Sequence, residues 1–170
     1  MLFETDRLIC RRWLPQDMGA LYAIYSDAEA MRWVGDGQPI TRSECEAWFS
    51  ITERNYASRG YGMFTVLDRA TGAVVGFCGL VHPGGQTDAE IKYAFARSQW
   101  GQGFATEIVR AMLGYGAAAH GLARIIATVA AEHRASQRVL TKSGLVHESS
   151  YAEADGSITD IYAWSAPNVR

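Results

Sequence analysis

The sequence predicts a mixed α+β fold: a mostly antiparallel sheet containing one parallel β-α-β crossover, in the order β-α-α-β-β-β-α-β-α-β-β. Three observations carry this prediction. Short apolar runs succeed one another through the middle of the chain with only turn-forming residues between them. A helical period then interrupts the strands between Ala89 and Ala130, and a strand–helix–strand passage of that kind joins parallel neighbours. Near the end, Asp155-Gly156 between two alternating segments signals a hairpin.

Taken in order, Leu8 to Trp13 alternates loosely and reads as a first strand. Pro15 and Asp17 then open a helix, because proline suits a first turn and an aspartate can accept from its free amides. Leu21, Ile24, Tyr25 and, further on, Met31 form its apolar side, and Gly35 to Pro39 is a loop. Thr41-Arg42-Ser43-Glu44 has the form of a capping box and starts a helix reaching about Ala57, with Cys45, Trp48, Phe49 and Thr52 on one face. Strands follow at Gly62 to Leu67 and Val74 to Val81 around the turn cluster Asp68 to Gly72, and again at Ala89 to Ala96. Ala105, Ile108, Val109, Met112, Leu113 and Gly116 recur at helical spacing from Gly103 to about Ala119, and Gly121 ends that helix. Ile125 to Ala130 is β-branched, Ser136 to Ser143 is a short helix, and two strands close the chain at His147 to Ala152 and Thr159 to Ser165.

The 170 residues show no repeat, linker or biased segment and are read as one domain, 1–170. With 48% hydrophobic and 11% aromatic residues, the chain has enough apolar material for a core, which excludes a disordered or fibrous protein. Sixteen basic and eighteen acidic residues leave a net charge of −2, so there is no bulk attraction for nucleic acid or anionic lipid. No apolar stretch is long enough to span a membrane, and the opening Met-Leu-Phe-Glu-Thr-Asp-Arg lacks the basic-then-apolar pattern of a signal peptide. Cys10, Cys45 and Cys78 are few, odd in number and set among apolar residues, which reads as buried reduced thiols in a cytoplasmic protein. Cys78 and His82 have no further ligand pair nearby, so no metal is expected.

The chemistry concentrates in Arg97-Ser98-Gln99-Trp100-Gly101-Gln102-Gly103-Phe104-Ala105-Thr106, between a strand and a helix and with no acid before Glu107. Glycine permits sharp turning and close approach of a ligand, and the free amides of a first helical turn can converge on one anionic group. The segment reads either as a phosphate or diphosphate cradle or as a tight strand-to-helix turn. A P-loop would need a lysine followed by Ser or Thr after the second glycine, and no such string exists. A dinucleotide fold would need a third glycine where Thr106 stands, within an alternating β-α-β series.

The same residues, Trp100 to Glu107 following a strand, resemble a GNAT-type acetyl-CoA-dependent N-acetyltransferase, most closely the branch that includes the ribosomal-protein N-terminal acetyltransferases. Glu4 to Ile9, Gly76 to Leu80, Glu90 to Ala94, Ala135 to Leu145 and Asp160 to Ser165 fit that branch in order and spacing. The resemblance implies a GNAT-like central sheet and a coenzyme A site. The family pattern Gln/Arg-x-x-Gly-x-Gly/Ala falls on Trp100-Gly101-Gln102-Gly103-Phe104-Ala105, with Trp100 at its first position. Amides from Gly101 to Thr106 would hold the diphosphate, and Phe95, Ala96 and Arg97 would pair by their backbone with the pantetheine arm. The Ala96 amide is expected to polarise the thioester carbonyl.

Glu90 is the candidate general base, against the alternative of a solvated strand glutamate. Ser136 stands at the serine of the family's Asn-x-x-Ser pattern, as donor to the coenzyme sulfur, as helix N-cap, or as both. No tyrosine lies between Ser136 and Gly144, which leaves Tyr151 and Tyr162 as distant alternative acids. His133 replaces the pattern's asparagine, as a partner of the coenzyme arm, a proton carrier, or a plain loop residue. Arg138 is either solvated or near a coenzyme phosphate, and Trp33 with the Gly35–Pro39 loop is either core or a wall of the acceptor entrance. The implied activity is direct acetyl transfer from acetyl-CoA to a primary amine through a tetrahedral intermediate, without metal. The acceptor is a protein N-terminus or a small molecule, including an amine-bearing antibiotic. A homodimer is compatible with this reading. The rival reading is a non-catalytic acyl-CoA sensor or interaction module on the same fold, and more remotely an unrelated phosphate-binding domain.

Overall fold

The computed structural model describes residues 1–34 and 37–167. Its strands are β1 (Phe3–Glu4), β2 (Leu8–Arg12), β3 (Met63–Asp68), β4 (Val74–Val81), β5 (Ala89–Phe95), β6 (Arg124–Ala130), β7 (Val146–Ala152) and β8 (Ile158–Ser165). Its helices are α1 (Met18–Tyr25), α2 (Ala28–Met31), α3 (Arg42–Arg59), α4 (Phe104–His120) and α5 (Arg134–Lys142). All eight strands form one sheet in the order β1-β2-β3-β4-β5-β6-β8-β7, antiparallel except for β5 and β6. The mixed fold with one parallel crossover is therefore as expected, and α4 is the crossover helix.

Side chains alternate across the sheet, so each face carries its own core. Ile91 and Phe95 of β5 face a cluster with Ile108, Val109, Met112 and Leu113 of α4 and Leu140 of α5. Burial of those four α4 side chains contributes roughly 2 kcal/mol each. On the opposite face, Trp13, Leu21, Ile24, Tyr25, Cys45 and Phe77 pack together, with Ala94 and Ala96 against them.

The Thr41 capping box forms as read: Thr41 Oγ1 accepts from the Glu44 amide at 3.2 Å, and Glu44 Oε2 accepts from the Thr41 amide at 2.7 Å. The helix runs to Arg59, two residues past the expected end. Two departures lie upstream. Met31 does not continue α1; Asp27 breaks the run by accepting from the amides of Glu29 and Ala30 and so starts α2. Asp17 does not cap α1 either. It is 2% exposed and accepts from Arg11, from the Leu14 amide and from Thr65 Oγ1 at 2.7–2.9 Å, which ties β2, the turn before α1 and β3 together. The two-residue β1 was too short to show a period. Gly35 and Asp36, within the loop expected before Thr41, lie outside the described residues.

Two features of the sheet position the site. The parallel β5–β6 pair holds register only at Ala89↔Ile125 and Glu90↔Ile126, so the two strands part beyond Glu90. At the far edge, every residue of β7 is exposed and its register against β8 shifts between His147 and Ser149. All three cysteines are free and buried, and burial pushes the Cys10 thiol up to about 12.

A methyl group on Gly79 would lie 2.1 Å from the Gly62 carbonyl oxygen and 2.5 Å from Met63 Cα, both backbone atoms of the adjoining chain. Gly79→Ala is expected to destabilise the protein by about 3 kcal/mol, measured by denaturant unfolding. Burial pushes the Asp17 carboxyl up, but hydrogen bonds from Arg11, Leu14 and Thr65 outweigh it and hold the group below its ordinary value. Asp17 therefore stabilises the fold above about pH 4 and loses that contribution as pH falls further. Unfolding curves should show wild type well above Asp17→Asn at pH 7, with the gap narrowing in acid.

Candidate functional site

The loop from Ser98 to Gly103 leaves the end of β5 and delivers the chain into α4. Gly101 and Gly103 adopt φ of 77° and 80°, the left-handed region that a side chain disfavours, so both turns require glycine. Gly101, Gln102 and Gly103 are exposed, and Gly103 is the N-cap of α4 with no side chain capping the first turn. The amides of Phe104, Ala105 and Thr106 thus begin a 17-residue helix uncapped, at the positive end of its dipole. Phe104 is buried against Phe95, with ring centroids 6.3 Å apart, and anchors the turn. Trp100 is 47% exposed, yet its indole Nε1 donates to the Phe95 carbonyl at 3.0 Å and folds the loop back on its own strand. Gln102 Nε2 reaches Ser98 O and Gln99 Oε1 at 3.4 and 3.3 Å, bonds internal to the loop.

Behind the loop the opening between β5 and β6 begins. Backbone groups of an antiparallel strand alternate between its two edges. The Ala96 amide donates to Val75 O at 3.0 Å and the Ala96 carbonyl accepts from the Gln99 amide at 2.8 Å, so Ala96 is turned toward β4 and the loop. This corrects the expectation that the Ala96 amide faces the ligand. By the same alternation, the N–H and C=O of Tyr93 and the N–H of Phe95 point into the opening. Arg97 uses its side chain, with Nε and Nη2 on Asp27 at 3.1 and 2.5 Å, and so ties the N-cap of α2 to the end of β5.

Each face of β5 brings one polar group to the opening. Toward α1–α3, Glu90 is 3% exposed and therefore not a solvated strand glutamate. Its Oε1 takes Lys92 Nζ and Thr128 Oγ1, both at 2.5 Å, and its Oε2 takes Gln86 Nε2 at 3.3 Å. Toward α5, Ser136 Oγ lies 2.5 Å from Tyr93 Oη. Burial pushes the Tyr93 phenol up to about 12 even against that hydrogen bond, so it stays protonated at neutral pH. Ser136 lies inside α5 rather than at its N-cap, which is His133; the helix begins at Arg134, two residues ahead of the expected start.

His133 stacks on Trp33, with centroids 5.3 Å apart and planes within 15°. Burial lowers its pKa, which favours the neutral ring. The stack joins the segment after α2 to the segment before α5, so Trp33 is half-buried beside the site rather than core. Tyr162 and Tyr151 stand on β8 and β7, separated from β5 by intervening strands; Tyr162 packs edge-on against His147. Arg138 opens onto a groove of about 420 Å³ with Arg134, Gln137 and Lys142.

Sequence reading missed Tyr93, Lys92 and Thr128. Alternation from Glu90 does put Lys92 on the same face, and Tyr93 with Ile91 on the other. The contacts to Thr128 and Ser136 cross between strands and from strand to helix, and have no local signature.

The family model described as an acetyltransferase (GNAT) domain matches residues 7–146. The uncharacterized N-acetyltransferase YoaA of Bacillus subtilis is 30% identical over 174 residues, covering 99% of this chain and 98% of its own. Among solved structures, a GNAT-family acetyltransferase from Bacillus anthracis superposes with a TM-score of 0.81 at 24% identity, over 95% of this chain and 96% of that one. RimL, a ribosomal L7/L12 α-N-protein acetyltransferase solved in complex with coenzyme A, gives 0.80 at 17% identity, with 95% of each chain covered. By that family match and that relative, the chain belongs to the GNAT family and is an acetyl-CoA-dependent N-acetyltransferase.

Proposed function

We propose that the opening between β5 and β6 is where acetyl-CoA meets a primary amine, and that the amine attacks the thioester directly through a tetrahedral intermediate. The observation that carries this reading is the position of the opening. It adjoins the uncapped first turn of α4, with Glu90 on one face of β5 and the Tyr93–Ser136 pair on the other. Amides from Gly101 to Thr106 hold the diphosphate, and the open edge of β5 at Tyr93 and Phe95 pairs with the pantetheine arm. The Phe95 amide replaces that of Ala96 as the donor to the thioester carbonyl, since only the former is free to face it.

Attack requires the amine in its neutral form. An α-amine titrates near ~8 and a lysine near ~10.4, so a protein N-terminus or a weakly basic small amine needs the least help. Glu90 takes up the proton lost by the amine, its carboxylate fixed in place by Lys92, Thr128 and Gln86. The departing thiolate takes the Ser136 hydroxyl proton as Tyr93 passes its phenol proton to Ser136 Oγ, and solvent reprotonates Tyr93 afterwards. At rest Tyr93 is a phenol with no other hydrogen-bond partner among the described residues, so it donates to Ser136 Oγ and leaves the serine hydrogen free for the sulfur. Trp33 and His133 wall the acceptor side. No group of three or more His, Cys, Asp or Glu among the described residues could hold a metal ion, and this route uses none.

Free thiol release from acetyl-CoA over a panel of peptides and small amines tests the reading. At least one amine should be acetylated; coenzyme binding with no release across the panel would instead indicate an acyl-CoA sensor. Glu90→Gln is expected to lower kcat/KM by about 100-fold or more. Ser136→Ala and Tyr93→Phe should each lower kcat by about tenfold, and the double variant should be no slower than Ser136→Ala alone.

A further inference from the structure

The first turn of α4 carries a carboxylate, Glu107, close to where the reading above places a diphosphate. An acid in a first turn suits the helix dipole, but it also competes with any anion the turn is meant to bind. Glu107 is turned away from that role by the corner between β1 and β2. Its Oε1 accepts from Thr5 Oγ1 at 2.7 Å and from the Arg7 amide at 2.9 Å. Its Oε2 accepts from Arg7 Nε at 2.7 Å and forms an ion pair with Arg7 Nη2 at 2.7 Å. The carboxylate thus receives three hydrogen bonds and an ion pair, and despite partial burial these hold it below its ordinary pKa. Arg7 does more than neutralise. Its Nη1 donates to the Gln102 carbonyl at 2.8 Å, and its guanidinium lies 4.7 Å over the Phe104 ring. One side chain therefore cancels the nearest negative charge, draws a loop carbonyl outward, and braces the residue that begins the helix.

We infer that Arg7 is a positioning residue for coenzyme binding: by engaging Glu107 and the Gln102 carbonyl together, it keeps negative charge and carbonyl dipole away from the amides of residues 101–106. Arg7 and Thr5 are separated from the loop by about a hundred residues, so the opening segment of the chain conditions a loop far from it in sequence. This rests on the acetyl-CoA reading of the loop.

The charge account makes predictions that a mechanical clip does not. Calorimetric titration with coenzyme A should show Arg7→Gln weakened by about tenfold, since an unpaired carboxylate then faces the ligand. Glu107→Gln should bind at least as tightly as wild type, and Arg7→Gln/Glu107→Gln should recover most of the loss. The Arg7→Gln defect should shrink in high salt, where charge repulsion is screened. In turnover, Arg7→Gln should raise KM for acetyl-CoA and leave kcat unchanged at saturation. With S-acetylpantetheine, which carries no diphosphate, Arg7→Gln and wild type should perform alike. Weaker binding by Glu107→Gln, or no recovery in the double variant, overturns the inference in favour of a clip or of direct contact between Arg7 and phosphate. Glu107→Gln keeps this test decisive even if Arg7→Gln fails to fold. Wild type that binds no coenzyme A would sink the loop reading itself, whereas binding that is unaltered in Arg7→Gln sinks only the role given to Arg7.

Discussion

The parting of β5 from β6 is the constraint on which the site depends. Two residues of parallel pairing commit the strands to one sheet, and then the ladder stops. A gap inside a sheet leaves backbone donors and acceptors unpaired, which costs free energy unless water or a ligand satisfies them. The fold compensates around the gap. Trp100 takes the Phe95 carbonyl, Val75 and Gln99 take both groups of Ala96, and Asp27 holds the departing chain through Arg97. The groups still open at Tyr93 and Phe95 make an extended acceptor–donor edge of the kind a peptide-like arm can complete.

The two faces of β5 divide the polar chemistry between them. Alternation sends Glu90 and Lys92 toward the helices of the first half of the chain, and Tyr93 toward the helices of the second half. Each polar side chain is held by residues from a different element: Thr128 of β6 on one side, Ser136 of α5 on the other. A single strand thereby presents a carboxylate and a hydroxyl pair at one gap without bringing them into contact. The carboxylate is not loose within its cleft, because an ammonium, a hydroxyl and an amide occupy its oxygens.

Much of this was legible in the chain of residues. The capping box at Thr41, the glycine pair at 101 and 103, the helical period of α4 and the hairpin at Asp155-Gly156 are local codes, and local geometry obeyed them. Errors came where tertiary contacts compete with local preference. Asp17 left its helix amides for Arg11 and Thr65, and Asp27 divided a helix that apolar spacing alone would have continued to Met31. At the candidate site, Glu90 and Ser136 could be singled out, but not their holders. Thr128 and Tyr93 lie 38 and 43 positions away from them, and no period or motif encodes such pairings. The resemblance of the opening Glu4 to Ile9 to its family had no physical reading in sequence; the contacts of Thr5 and Arg7 with Glu107 supply one.

The bulge in β7 has a consequence beyond this molecule's own shape. An open strand at the rim of a sheet is an invitation to further strands, and one with seven accessible residues would serve as a seed for unlimited stacking. Glu148 is the extra residue at the register shift, and its carboxylate meets Arg124 at 2.6 Å. The kink and the fixed charge make the rim a poor template, so the lattice of hydrogen bonds has little to extend along that border.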